Sequence, residues 1–441
     1  MHTSIATETQ FTNLIQFRQA AYRCLGKARD AQMELTDAVI LTAAVRSFAE
    51  LSLSPVFRRR WPSLYEAIQD GSPDRAGLLR LYVAQVPPQP RVLLAGDHTA
   101  WPRPSAQTLR ERTVEHQPTK IVGNKPITVG QGYSTLVWLP PGEAESSWAL
   151  PFLHERISSA ESPIDKALSQ LRRVAAWLPS RPIGLWDAEY GNATFVNGSA
   201  DIPVDKAMRL RSNLCLWGPP PPYSGHGRPA VHGDKFKLKD ATTWGAPAEV
   251  LEVVDAQLGR VKVALWRDRH FRKSSQHPMV VIRIERLDAR GTRRNPKELW
   301  LAWVGEAPPP LTDWWRLYLR RFAVDHWYRF AKQRLHWTLP HFGTPEQAER
   351  WSDLMPLMTW ELWLARSVVA DQPLPWQKRQ VNLTPGRVCQ GMGGVLAAIR
   401  TPTQAPKPRG KSPGWPTGRS RNRRERYPVV KKGQKQKKKA T

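Results

Sequence analysis

One stretch of the chain gathers groups that phosphate chemistry can use. Tyr318-Leu-Arg-Arg321-Phe-Ala-Val-Asp325-His-Trp-Tyr-Arg329-Phe-Ala-Lys332 places a phenol, three cations and an acid at offsets 0, 3, 11, 14 and 7. On a helix turning about 100° per residue, these five side chains fall within roughly 80° of one another. A lone carboxylate among cations makes a poor core stripe and a good metal ligand beside a phosphate track. Two distant acids, Asp97 and Asp187, each close a short apolar run, Arg91-Val-Leu-Leu-Ala-Gly-Asp97 and Pro182-Ile-Gly-Leu-Trp-Asp187. Hydrolysis or transfer at a phosphodiester needs an activated oxygen nucleophile and a stabilised leaving oxygen. Two divalent cations roughly 4 Å apart, held by carboxylates from separate parts of a chain, supply both. The ordinary readings stand beside this one. A strand-end Asp is more often a turn or cap residue, and Glu189 is an alternative to Asp187. Asp325 paired with Arg321 or Arg329 would be a surface ion pair of little energetic worth.

The surrounding pattern supplies elements to carry these groups. Residues 1–87 read as helical, with apolar side chains three and four apart, and Pro87-Pro88-Gln89-Pro90 ends that region. Short apolar runs at 91–97, 133–139, 148–152, 182–187 and 208–217 read as strands. A helix over 163–178 starts after Ser162. The order is that of an α/β fold, with Asp97 and Asp187 each ending a strand. Residues 218–310 interrupt it as a mostly β insertion. Its opening, Gly225-His-Gly-Arg228-Pro-Ala-Val-His232-Gly233 followed by Lys235, Lys237 and Lys239, reads either as a loop tracking a phosphate backbone or as an exposed hairpin tip. A zinc site from His226 and His232 is disfavoured, since no Cys lies nearby. A long helix is expected over 311–335 and a second over 345–368, with the core's second part at 311–370. A connecting segment follows at 371–400, and a basic tail at 401–441, expected to be disordered.

Charge narrows the partner. The chain has 441 residues, with Lys+Arg 66 against Asp+Glu 38 and a net charge of +28. Residues 401–441 hold fourteen of those cations and a single acid, Glu425, so the rest of the chain is basic as well. This balance does not suit an enzyme of small metabolites and points to a polyanion, most simply nucleic acid. The three cysteines, Cys24, Cys215 and Cys389, have no metal-ligand or disulfide spacing, which suits a reducing compartment. No signal peptide and no span long enough for a bilayer is apparent, so no membrane partner is expected.

Taken together, these residues carry a family resemblance. The spacing Tyr318, two residues, Arg321, three residues, Asp325, six residues, Lys332 resembles the Y-R-E-K signature of one branch of bacterial insertion-sequence DDE transposases. Gly96-Asp97-His-Thr99 and Asp187-Ala-Glu-Tyr190-Gly191 resemble the segments that bear that family's first and second acids. A β insertion between the second and third acids also recurs in the branch, and the resemblance covers roughly residues 90–370. It implies a ribonuclease-H-like mixed sheet flanked by helices, with Asp97, Asp187 and Asp325 holding two Mg²⁺ (Mn²⁺ as substitute). Arg321 and Lys332 would contact DNA phosphates and Tyr318 would hydrogen-bond one; apart from the resemblance, Arg329 by its place on the helix face, and Arg228, Lys235 and Lys237 if the basic loop tracks a backbone, are further candidate DNA contacts. Trp244 or Trp266 would stack on a flipped base. The implied partners are double-stranded DNA, as terminal inverted repeats and target, and a second copy of the chain on that DNA. The N-terminal helices would serve end binding or dimer contacts, and the compartment would be a bacterial cytoplasm, at the nucleoid. One departure is plain: the third acid is Asp where the branch usually has Glu, a reach shorter by roughly 1.5 Å. Beside the transposase stand two alternatives, a catalytically inactive DNA-binding relative and a structure-specific nuclease of the same fold.

Overall fold

A computed structural model describes residues 2–116, 126–142, 147–256, 258–291, 297–408, 414, 416–420 and 423–432, with side chains from Glu8 onward. Four helices come first: α1 (His2–Cys24), α2 (Arg29–Leu41), α3 (Pro62–Asp70) and α4 (Arg75–Val83). The central elements are β1 (Leu93–Pro102), β2 (Thr113–His116), β3 (Ile127–Trp138), β4 (Leu150–Ile157), α5 (Pro163–Ala175), β5 (Ile183–Trp186), α6 (Ala193–Gly198) and β6 (Asp205–Arg209). A strand-rich stretch follows: β7 (Cys215–Trp217), β8 (Lys235–Lys237), β9 (Glu249–Asp255), β10 (Gly259–Arg269), β11 (Met279–Arg286) and β12 (Glu298–Val304). Helices α7 (Trp314–Leu319), α8 (Ala323–Gln333), α9 (Pro345–Ala365) and α10 (Pro385–Ile399) complete the order.

The sheet is built around β1. It pairs antiparallel with β3 on one side and parallel with β5 on the other, and β5 pairs parallel with β6. The long β3 carries both β2 and β4 on its outer edge. A mixed sheet flanked by helices in this way is compatible with a ribonuclease-H-like fold. Parallel neighbours need crossovers, and α5 and α6 lie between the strands concerned. Helix α5 starts where its residues dictate. The Ser162 hydroxyl accepts from the Asp165 N–H, the Asp165 carboxylate accepts from the Ser162 N–H, and Pro163 fills the first turn.

Several expectations change in detail. Asp97 does not close its strand, because β1 runs on to Pro102 through its pairing with β3; what stops beside Asp97 is the partner β5, at Gly96↔Trp186. The β-rich stretch does not form a separate layer. Strand β12 pairs with β6, and β11, β10 and β9 continue the same sheet to its far edge, while β7 and β8 form a small hairpin. The expected long helix is broken into α7 and α8 by a 3-10 turn at Arg320–Phe322. Helix α10 fills much of what read as a connecting segment, and β2 was not legible at all.

The N-terminal helices share one apolar core with the sheet and α9. At their junction Arg18, 2% exposed, pairs with Asp37 at 2.8 Å and with Glu361. A buried cation between two acids from α2 and α9 ties the first helix to the last part of the core. Tyr82, Trp360 and Trp138 stack in sequence on the same side, with centroid separations of 5.8 Å. The tail departs furthest from expectation. Several of its described residues dock on the body: Arg58 donates to the Gln404 carbonyl, the Tyr427 N–H to the Gln107 carbonyl, and the Val430 N–H to the Arg112 carbonyl. Its positions 409–413, 415, 421–422 and 433–441 lie outside the described residues. No helix of the described residues is long and apolar enough to cross a membrane.

Candidate active site

The sheet register brings the two strand-borne acids together. Gly96 of β1 lies opposite Trp186 of the parallel β5, so Asp97 and Asp187 follow one step beyond the same rung. Gly96 is required for that approach: a Cβ there would run into the Trp186 indole. Asp187 turns its carboxylate back to accept the Glu189 N–H at 2.8 Å. Glu189 itself is exposed and sits 3.8 Å from Arg211.

The helical acid joins through one arginine. Arg321, 7% exposed, donates to Asp97 Oδ2 at 3.1 Å and to Asp325 Oδ2 at 3.2 Å. Its guanidinium therefore spans the strand-borne and helical carboxylates. The Asp325 side chain is 48% exposed, so one end of the bridge opens to solvent. Burial and the nearby charges of Asp187 and Asp325 push the Asp97 carboxyl up from 3.8 to about 7, against the opposing pull of Arg321. Burial also works against the Arg321 charge, but Tyr318 and the surrounding acids outweigh it and hold it protonated.

Helix α8 is fixed to β1 at this point. The Tyr328 hydroxyl donates to the Asp97 carbonyl at 2.9 Å and lies 2.9 Å from the Thr135 hydroxyl, which is 2.8 Å from His154 Nδ1. A phenol has one hydrogen, so Thr135 donates to Tyr328 and the His154 Nδ1–H donates to Thr135. Burial holds His154 neutral, its pKa pushed down to about 3. One turn on, Lys332 Nζ donates to the Thr99 hydroxyl at 2.7 Å, and burial lowers its pKa to about 8.

Of the five residues expected on one helical face, the 3-10 turn separates the first two from the rest. Tyr318 and Arg321 are buried, Lys332 is half-buried, and Asp325 and Arg329 face solvent. Burial pushes the Tyr318 phenol up to about 12. His326, next to the acid, is exposed. Arg228, Lys235 and Lys237 are exposed; the last two line a shallow cleft of about 550 Å³ with Trp217, Lys239 and Arg272. The tryptophan expectation is corrected for one of the two rings. Trp266 is buried against Phe236 and Trp300 and is not free to stack on a base, while Trp244 packs beside it half-buried, with its indole N–H on the Lys237 carbonyl.

The sequence did not single out Tyr328, Thr135 or His98. Tyr328 lies three residues after Asp325, on the inner side of the same helix, which was the available signal. His98 Nδ1 sits 3.3 Å from the buried Tyr190 hydroxyl, joining the two acid-bearing segments from the other side.

In donor chemistry, the three carboxylates suit a hard divalent cation. Asp97, raised toward neutrality by burial first and by its acidic neighbours second, is a carboxylate whose charge such a cation would stabilise. Among the described residues no three His, Cys, Asp or Glu side chains form a ready metal cage; here Arg321 occupies the place between Asp97 and Asp325. A large mixed sheet with Asp97 on one strand and Asp187 just past the end of its parallel neighbour is compatible with the α/β fold of nucleases and transposases. The sequence profile of the DDE superfamily endonucleases matches residues 21–273, and the chain belongs to that family. The match includes Asp97 and Asp187 and ends before Asp325. Comparison with curated proteins returns no match.

Proposed function

We propose that this chain is a DNA transposase that hydrolyses phosphodiesters at transposon ends and joins the freed ends to target DNA. The observation that carries the reading is the Arg321 bridge. It ties a strand acid, one rung from a second strand acid, to the acid of the 318–332 signature. Asp97, Asp187 and Asp325 would hold two Mg²⁺, which when bound supply an activated oxygen nucleophile and stabilise the leaving oxygen. The chain's own residues do the rest. Arg321 holds the acids in place before the cations arrive and, once released, faces the scissile phosphate. Lys332 and Arg329 neutralise phosphates along α8, and Tyr318 orients Arg321 from beneath. Arg228, Lys235 and Lys237 extend the phosphate track to the β7–β8 hairpin. The partners are double-stranded DNA and a second copy of the chain.

An inactive DNA-binding relative is the second reading, favoured by Asp325 itself, whose short side chain is 48% exposed and pairs with Arg321 four residues before it as an ordinary helix ion pair would. Incubating the protein with Mg²⁺ or Mn²⁺ and a duplex containing the element's own ends decides between them. The transposase reading requires cleaved and joined products with the wild type and neither with Asp187→Asn. Cleavage without joining would make it a nuclease, and binding without cleavage would leave the inactive relative.

A further inference from the structure

Among the described residues of the basic tail, the stretch 427–432 does not hang free. From Tyr427 to Lys432 it runs along the outer edge of β2. The Tyr427 N–H donates to the Gln107 carbonyl at 2.8 Å and the Val430 N–H to the Arg112 carbonyl at 2.7 Å, while Val430 bridges Thr113 in parallel. Arg112 returns a bond to the Tyr427 carbonyl at 3.0 Å. The last anchor is ionic: Lys432 Nζ lies 2.6 Å from Glu115, a carboxylate only 3% exposed. An acid so buried needs its cation, so the tail is held at both ends of this stretch. Immediately before it, Arg423, Arg424 and Arg426 are exposed, and among the described residues none has an ion-pair partner. Glu425, between them, is occupied by the Tyr427 hydroxyl. Arg424 also overhangs a cleft of about 570 Å³ that holds Arg110 and His341.

We propose that residues 423–432 form a pinned basic strip that binds the backbone of double-stranded DNA, with Arg423, Arg424 and Arg426 as its phosphate contacts. The strip lies on the β2 edge, away from the β7–β8 cleft, and so supplies a second contact with the polyanion. Pinning is what separates it from an ordinary charged tether. Cations fixed in place meet phosphates without being ordered at each encounter. The inference rests on the reading of the chain as a DNA enzyme.

The test measures binding of full-length protein to a 30-bp duplex of arbitrary sequence, without divalent metal, across a salt series. Arg423→Ala, Arg424→Ala and Arg426→Ala together should flatten the log affinity against log salt slope by about 2 to 3, since each lost phosphate contact removes about 0.9. Val430→Pro removes one pinning N–H and no charge. It should weaken binding several-fold with the slope unchanged, since the same three cations still meet phosphates once ordered, and should speed trypsin cleavage after Arg423, Arg424 and Arg426 in the free protein. An unchanged slope in the triple variant would overturn the proposal, as would wild-type affinity in Val430→Pro, where a loose tether would then suffice. Tighter binding by Val430→Pro would overturn it in the opposite sense, making the strip a barrier. These outcomes are separate from the cleavage assay: a wild type that cuts DNA while Val430→Pro binds normally loses the strip and keeps the function.

Discussion

Asp97 should cost the fold stability at neutral pH, and replacing it should show how much. Its carboxyl is pushed up from 3.8 to about 7 by burial and by Asp187 and Asp325. The folded state then holds a proton more tightly than the unfolded chain, so stability falls as pH rises between those two values. At about 1.4 kcal/mol for each tenfold in proton affinity, the cost above pH 7 is about 4 kcal/mol, as an upper value. Asp97→Asn mimics the neutral acid and keeps one oxygen to accept from Arg321. In metal-free urea melts it should therefore be more stable than wild type by about 2 to 4 kcal/mol at pH 8 and equal to it near pH 4. Millimolar Mg²⁺ should stabilise the wild type at pH 8 and leave Asp97→Asn unmoved, while cleavage is lost. A variant no more stable than wild type at pH 8, or equally stabilised at both pH values, would refute the argument that burial and neighbouring acids make the ionised Asp97 costly.

Other substitutions probe the supports. Lys332, lowered to about 8 by burial, loses its charge as pH rises through that value, so duplex affinity should drop between pH 7 and 9. Lys332→Arg should flatten that profile, because a guanidinium stays charged throughout. Tyr328→Phe leaves the Asp97 carbonyl and the Thr135 hydroxyl short of a partner and should cost about 1 to 3 kcal/mol in denaturant melts. Gly96→Ala drives a methyl into Trp186 and should cost at least about 1 to 3 kcal/mol, with a matching loss of cleavage as the two strands part. Arg18→Met strands Asp37 and Glu361 in the interior and should cost about 3 to 5 kcal/mol, read as a fall in the urea midpoint.

What the sequence disclosed was local and periodic. Apolar runs ending at Asp97 and Asp187 marked strands, and a rung shared by parallel neighbours follows once those strands pair. The spacing from Tyr318 to Lys332 marked a helix and its acid. It did not disclose the 3-10 turn at Arg320–Phe322, because a change of helical pitch alters no residue type. Nor did it disclose that β12 pairs with β6, since pairing between residues a hundred positions apart leaves no mark in either segment. The tail misled for a related reason. Its composition is that of a solvated chain, yet Tyr427, Val430 and Lys432 dock through two backbone N–H groups and one buried Glu115, none visible as composition. Trp266 misled in the other direction, since an indole suited to stacking on a base is equally suited to stacking on another indole.

The continuity of the sheet from β2 to β9 has a geometric consequence. Neighbouring strands rotate by roughly 20° in a constant sense, and eight such steps separate the two edges along the hydrogen-bonded path. The accumulated rotation approaches about 160°, so the sheet face presented at β2 is turned nearly to the opposite side at β9, like the two ends of a half-turned propeller. As undirected lines the two edge strands return to within about 20° of parallel, and it is the faces of the sheet, not its edges, that are reversed between them.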